Sequence, residues 1–228
     1  MTINAILLGA SGMIGKGVLL ECLEHPNVSK ILSIGRRSCG VEHPKLNEII
    51  HTDFLNYSTI EEKLSGFNAC FFCLGVPSSG MTEQDYHLIT HDYVVKAAEV
   101  LSDNNPDMTF CFISGAGTDE TGKSRMMWAR VKGKAENSLK LFPFKNLYLF
   151  RLAFVHPKKG IKPSYNMYKI MGPFYPLLRF IFPKYISNTE EVGQALINAV
   201  LYGVDRQVLE SKDIIQLAKR GIEYKDRI

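Results

Sequence analysis

Short apolar runs rich in β-branched and aromatic residues alternate, from the first residues to about residue 152, with longer stretches whose apolar positions recur every three or four residues. The short runs, at 5–8, 30–34, 46–51, 69–74, 109–114 and 147–152, are continuous rather than alternating, which is the pattern of strands covered on both faces. The longer stretches at 13–23, 58–64, 83–101 and 125–141 predict helices. Regular exchange between the two predicts βαβ units, and so an α/β fold with a doubly wound parallel sheet.

After residue 152 the rhythm changes. A loop of Pro and Lys leads into an aromatic-rich stretch, 165–185, read as a half-buried helix pair roofing a pocket, with a dimer face and a membrane-surface contact as alternatives. Ser187-Asn188-Thr189-Glu190 offers capping chemistry for a helix over 190–202. A short strand at 208–209, a helix at 212–219 and a polar tail past Gly221 follow. Residues 1–228 thus read as one domain, with 153–228 contributing a small C-terminal helical cap.

Composition fits an ordinary globular chain of 228 residues, 46% of them hydrophobic and 22% charged. It is long enough to bury about 70–75% of its unfolded surface without staples. The 27 basic and 23 acidic side chains leave a charge of +4, spread along the chain rather than gathered into an arm. That favours an anionic small molecule over nucleic acid as partner.

The most hydrophobic stretch, 170–182, is too short to span a bilayer and holds Pro173, Pro176 and Arg179. Residues 1–8 lack the basic start of a secretory leader, and a cytoplasmic location is expected by default. The five cysteines (22, 39, 70, 73 and 111) are odd in number and mostly within apolar runs, as packed, reduced thiols are. Cys70 and Cys73 have redox or zinc spacing, but strand geometry turns them to opposite faces. His87 and His91 share a helix face without a third ligand nearby in sequence, and no metal is expected.

Chemistry enters at Gly9-Ala10-Ser11-Gly12-Met13-Ile14-Gly15, which follows the first strand and opens the first helix. There a dinucleotide site needs a sharp turn, backbone open to a pyrophosphate, and close packing of helix on strand. The helix N-terminus adds free N–H groups and a positive dipole end. About 20 residues on, an NAD-selective site places a carboxylate for the ribose 2′-hydroxyl. Arg36 and Arg37 stand there instead, which favours the 2′-phosphate of NADP(H) over NAD(H).

The spacing G-x-x-G-x-x-G resembles that of the extended and atypical short-chain dehydrogenase/reductase superfamily. The likeness extends along nearly the whole chain and is strongest to its small epimerase/dehydratase-like members, the branch that includes the Tat-interacting oxidoreductase-like protein. It implies a Rossmann-like sheet, an Asp53–Phe54 pair at the adenine, a Leu74–Gly75 turn over a ribose, and Phe154 near the nicotinamide, in a segment that begins at Arg151. In that segment Leu152 and Ala153 replace the superfamily's Pro and Gly.

Carbonyl-reducing members pair a Tyr with a Lys four residues on, and add a Ser or Thr at the end of the fifth strand. The matching segment here has Lys132, but Trp128 at the tyrosine position. Indole offers only a donor N–H and cannot exchange a proton at neutral pH. Ser114 opens the matching strand-end turn, in which Ala116 takes the catalytic place under a second register. Lys132 and Ser114 are thus the catalytic candidates that the resemblance implies, and Lys132 is also expected to bind the cofactor at the nicotinamide ribose. A second Tyr-x-x-x-Lys, Tyr165 to Lys169, falls outside the corresponding helix and reads as coincidence, and His156 reads as a loop histidine.

The resulting expectation is an NADP(H)-binding oxidoreductase-like protein, a monomer or homodimer, passing hydride to a flavin, quinone or small carbonyl without a tyrosine acid. The alternative is a non-catalytic NADP(H) sensor acting through a protein partner.

Overall fold

The computed structural model describes residues 1–163 and 174–220. Six parallel strands, β1 (Ile3–Leu8), β2 (Val28–Gly35), β3 (Leu46–Ile50), β4 (Ala69–Phe72), β5 (Thr109–Gly115) and β6 (Asn146–Leu152), carry the sheet predicted from the apolar runs. Further along come β7 (Phe154–His156), β8 (Ile186–Asn188) and β9 (Val208–Glu210). The main sheet has seven strands in the order β3-β2-β1-β4-β5-β6-β9, all pairs parallel. Its order reverses between β1 and β4, and such a switch opens a crevice at the carboxyl ends of the strands.

Helices cover both faces. One layer holds α1 (Met13–Glu24), α6 (Thr189–Tyr202) and α7 (Ser211–Lys219), and the other α3 (Tyr93–Asn104) and α4 (Met127–Leu139). Val18, Leu19 and Cys22 of α1 enter the first core with Leu196 and Ile197 of α6; Val94, Ala97 and Leu101 of α3 enter the second with Leu139. Cys70 and Cys73 face opposite layers, as the two-residue period of a strand requires. Among the described residues no helix is long and apolar enough to cross a membrane.

Three differences from the predicted elements have physical causes. The stretch 58–64 forms only a 3₁₀ turn, Glu61–Lys63, because seven residues cannot offset helix nucleation once Ile60 and Leu64 are buried on either side of it. The 83–101 helix is interrupted: between α2 (Glu83–His87) and α3, residues Leu88–Asp92 make a π turn in which the Tyr93 N–H reaches back five residues to the Leu88 carbonyl.

The range 153–228, expected to contribute the small cap, also supplies part of the main sheet and of one helix layer. Strand β9 extends the main sheet and α6 packs on α1, which leaves β7, β8 and α5 (Tyr175–Ile181) outside the sheet. The rest of the predicted aromatic pair, including Tyr165, Tyr168 and Lys169, and the tail past residue 220 lie outside the described residues.

Helix α6 starts with a closed capping box. Asn188 Oδ1 accepts from the Glu191 N–H at 2.8 Å, and the Glu191 carboxylate accepts from the Asn188 N–H at 3.1 Å. The partner is Glu191, one residue past the expected Glu190.

Candidate functional site

The glycine turn works through close approach. Gly9 has φ +89°, and a side-chain carbon there would lie 2.7 Å from the backbone of Cys73 and Leu74, so β1 and β4 could not draw together with any other residue. At Gly15 the same atom would sit 2.1 Å from the Gly9 carbonyl oxygen, which locks α1 against the turn. No side chain caps α1, and its first turn holds no carboxylate. Its N–H groups therefore stay available to an anion.

These features open on a crevice of about 470 Å³ at the switch between β1 and β4, a size typical of cofactor pockets. Gly9, Ser11 and Gly12 line it from the turn, Gly35, Arg36 and Arg37 from the end of β2, and Cys73, Leu74 and Gly75 from the end of β4. Phe54, almost fully buried, closes one side. Arg36 and Arg37 are exposed, and neither has a carboxylate or hydrogen-bond partner among the described residues.

The loop that carries them is held from two sides. Glu48 of β3 accepts from Ser38 Oγ at 2.7 Å and from the Cys39 N–H at 2.8 Å, while Lys16 of α1 donates to the Cys39 carbonyl at 2.7 Å. Burial alone would raise the Glu48 carboxyl, but the donors from Cys39 and Ser38, with the charge of Lys16, outweigh it and keep its pKa below the ordinary value. Sequence reading missed both Lys16 and Glu48, since only the fold brings them to the loop.

Other expected contacts fall elsewhere. The Met13 side chain enters the core and Ile14 packs against it, so only their backbones face the turn. Asp53 is exposed and outside the crevice wall, and its Oδ1 accepts from the Leu55 N–H at 3.1 Å. Phe154 lies on β7, paired with Ile186, and is likewise absent from the wall.

The catalytic candidates sit on β5 and α4. Trp128 lies across the turn after β5: a side-chain carbon at Gly115 would stand a tight 3.3 Å from its ring, whereas one at Gly117 would be in ordinary contact at 3.5 Å and the φ of +89° is what favours glycine there. Lys132, four residues on, donates to the Ile113 carbonyl at 3.2 Å and places its ammonium over the Phe112 ring. Loss of solvation lowers its pKa to about 8, against a weaker opposing pull from Glu136. Ser114 is buried, and its hydroxyl donates to Glu136 at 2.6 Å.

Glu136 was missed from sequence. It is fully buried, takes both the Ser114 hydroxyl and the Arg151 guanidinium, and makes the latter the hub of a chain of charges through Glu120 to Lys140. The available signal was a carboxylate on the face of α4 that Ala129, Ala135 and Leu139 bury. His156, on β7, stacks on Tyr175 at 4.0 Å and buries Nδ1 without a partner among the described residues, and burial depresses its pKa.

No family model matches the chain. Among curated proteins, rat protein HTATIP2 is 29% identical over 151 residues, 65% of this chain and 61% of that protein, so the match spans less than two thirds of it. Protein fmp52, mitochondrial, of Emericella nidulans is 24% identical over 234 residues, 95% of this chain and 99% of that protein. Among solved structures, Bordetella bronchiseptica WbmF in complex with NAD+ superposes with a TM-score of 0.67 at 12% identity, covering 96% of this chain and 78% of that one. Helicobacter pylori ADP-L-glycero-D-manno-heptose-6-epimerase gives 0.65 at 16% identity, covering 96% and 82%.

The cytoplasmic expectation is corrected by the fungal relatives, which are named as mitochondrial proteins. It rested on the lack of a secretory-type start and of a bilayer-spanning stretch, and on cysteines that read as reduced, none of which separates cytosol from organelle. Fold, glycine turn and relatives point the same way: the chain has the Rossmann-like fold of nicotinamide-dependent oxidoreductases and epimerases, and its relatives support the likeness to the atypical branch of the short-chain dehydrogenase/reductase superfamily.

Proposed function

We propose that the chain binds NADP(H) across the switch-point crevice and passes hydride to an acceptor that needs no protein acid, a flavin, a quinone or a small activated carbonyl. The observation that carries this reading is that Arg36 and Arg37, free of carboxylate partners, line the same crevice as the Gly9–Gly12 turn. A guanidinium fork suits a phosphate monoester, and the end of β2 offers no carboxylate to a bare 2′-hydroxyl.

The residues fit such a group at three places. The α1 N-terminus and the backbone at Gly9 and Gly12 receive the pyrophosphate. Phe54 and the Leu74–Gly75 turn would flank the adenosine half, and Lys132, which is not part of the crevice wall, would be the side chain to meet the far ribose. The bound dinucleotide supplies a two-electron hydride, and one solvent proton completes the reduction of a quinone to a hydroquinone.

Trp128 neither gives nor takes that proton. Ser114 is held by Glu136, so its hydroxyl does not polarise a carbonyl in the crevice. Lys132, with a pKa of about 8, keeps a positive charge near the strand ends at neutral pH and so favours negative charge developing on an acceptor.

The same two features, an indole in place of the phenol and a committed Ser114, favour the second reading, a sensor that binds NADP(H) without turnover. Calorimetric titration with NADP+, NADPH, NAD+ and NADH, read in parallel by the emission of Trp128, the one tryptophan, tests the shared part. Arg36→Ala with Arg37→Ala is expected to weaken NADP(H) more than tenfold and to leave NAD(H) within about twofold. Equal losses for both cofactors refute the 2′-phosphate role. NADPH consumption over flavin and quinone panels then separates enzyme from sensor.

A further inference from the structure

We propose that His87, His91 and Asp92, gathered by the π turn, form a binding site for a divalent first-row cation of the zinc type, apart from the dinucleotide crevice. The geometry starts from the backbone. In a regular α-helix, residue i+5 lies about 140° round the axis from residue i, so Asp92 would point away from His87. The bond from the Tyr93 N–H to the Leu88 carbonyl widens the turn by one residue and brings positions 91 and 92 together over 87.

Asp92 Oδ1 lies 3.2 Å from His87 Nδ1 and 2.7 Å from His91 Nδ1. The two imidazoles face each other with centroids 4.3 Å apart, and one ligand atom from each of the three residues lies within 4.8 Å of the other two. Atoms bound to one zinc ion at about 2.0–2.2 Å stand roughly 3–3.5 Å apart. Small side-chain rotations therefore suffice to close the three around an ion, with water completing the tetrahedron. All three remain partly exposed, so an ion can enter.

Two further observations point the same way. The other nitrogen of His91, Nε2, lies 3.0 Å from Ser138 Oγ of α4. An outer partner of this kind can take the proton of Nε2, the tautomer in which Nδ1 would exchange its hydrogen bond to Asp92 for a metal. The turn is also locally costly, since the Thr90 hydroxyl is buried within it and has no partner among the described residues. Two imidazoles and one carboxylate suit zinc, cobalt(II) or nickel(II) better than magnesium or calcium. None of these residues lines the dinucleotide crevice.

The experiment uses the untagged full chain, dialysed against Zn²⁺ or Co²⁺ at neutral pH, with bound metal counted by mass spectrometry and Co²⁺ followed by its visible spectrum. Roughly one equivalent is expected, with a nitrogen/oxygen-ligated spectrum that lacks thiolate charge transfer. Affinity should fall about 10–100-fold in His91→Gln or Asp92→Asn, and by about the lower end of that range in Ser138→Ala. In the wild type, saturating Zn²⁺ should protect His87 and His91 from acylation by diethylpyrocarbonate while His43 stays reactive, a readout that does not depend on any variant folding.

Absence of saturable binding, a thiolate band that places the ion on cysteine, or unchanged acylation of His87 and His91 overturns the proposal. So does full binding by a folded His87→Gln/His91→Gln variant.

Discussion

Removing the Glu136 carboxylate tests whether a buried charge network holds the junction of β5, β6 and α4, on which Trp128 and Lys132 are mounted. Glu136 is fully buried and accepts three hydrogen bonds: from Ser114 Oγ at 2.6 Å, from Arg151 Nε at 3.1 Å and from Arg151 Nη2. Breaking a buried pair on one side costs about 3–5 kcal/mol, mainly because the surviving charge stays desolvated. Here Arg151 is slightly exposed and keeps Glu120 at 2.5 Å and Glu210 at 3.6 Å. Glu136→Ala should therefore fall at the lower end, about 3 kcal/mol.

That is a large share of the roughly 5–15 kcal/mol typical of folded domains. Urea unfolding with linear extrapolation measures it, and an unchanged denaturant slope would show that the reference state is the same. The double variant Glu136→Met/Arg151→Met removes both charges, fills the volume and should lie within about 1 kcal/mol of wild type. With Glu136→Met and Arg151→Met as the single arms, the first expected to cost about as much as Glu136→Ala, the cycle then gives a coupling of at least about 2 kcal/mol. If Glu136→Ala costs less than about 1 kcal/mol, or the two single losses simply add, the network does not hold the junction as argued.

Two other predictions follow from the site. Gly15→Ala places a carbon 2.1 Å from the Gly9 carbonyl, so the turn must shift, and calorimetry should show dinucleotide binding weakened more than tenfold while far-ultraviolet circular dichroism keeps its α/β form. Lys132 has an ordinary pKa of 10.5 in the unfolded chain and about 8 when folded. Between those values the unfolded state binds more protons, so this lysine's contribution to stability rises with pH, by up to about 3 kcal/mol across the window. The buried Cys22 thiol, pushed up by desolvation, acts in the opposite direction. The measurement is thus the difference in unfolding free energy between wild type and Lys132→Met at about pH 7.5 and about pH 10, either side of most of that window, and a gap that does not change with pH refutes the reasoning.

Much of the fold was legible because parallel strands buried on both faces leave unbroken apolar runs, and these located β1 to β6 within a few residues. The glycine turn was legible for a related reason: its requirements are set by backbone contacts, and only glycine meets them at positions 9 and 15. Arg36 and Arg37 could be placed because they follow β2 directly. Lys16 and Glu48, which hold the same loop, could not, since their partners depend on how α1 and β3 pack. Strands β7 and β8 were missed because three residues carry no period and their pairing partners lie far apart in the chain, Phe154 against Ile186.

The residues around the π turn show where pattern reading stops and why. His87 and His91 fall on one face by their spacing, whereas the 3.6-residue period sends Asp92 elsewhere. A single inserted residue changes that period locally, and its energetic signature, an i→i−5 bond with the Thr90 hydroxyl left unpaired, leaves no mark on hydrophobic spacing. The same holds for Glu136, whose position on the buried face of α4 is an exception to the apolar stripe until β6 supplies Arg151 beside it. In both cases the departure from regular pattern sits where polar groups converge, and convergence of polar groups in a partly dry setting is what gives a fold its chemistry.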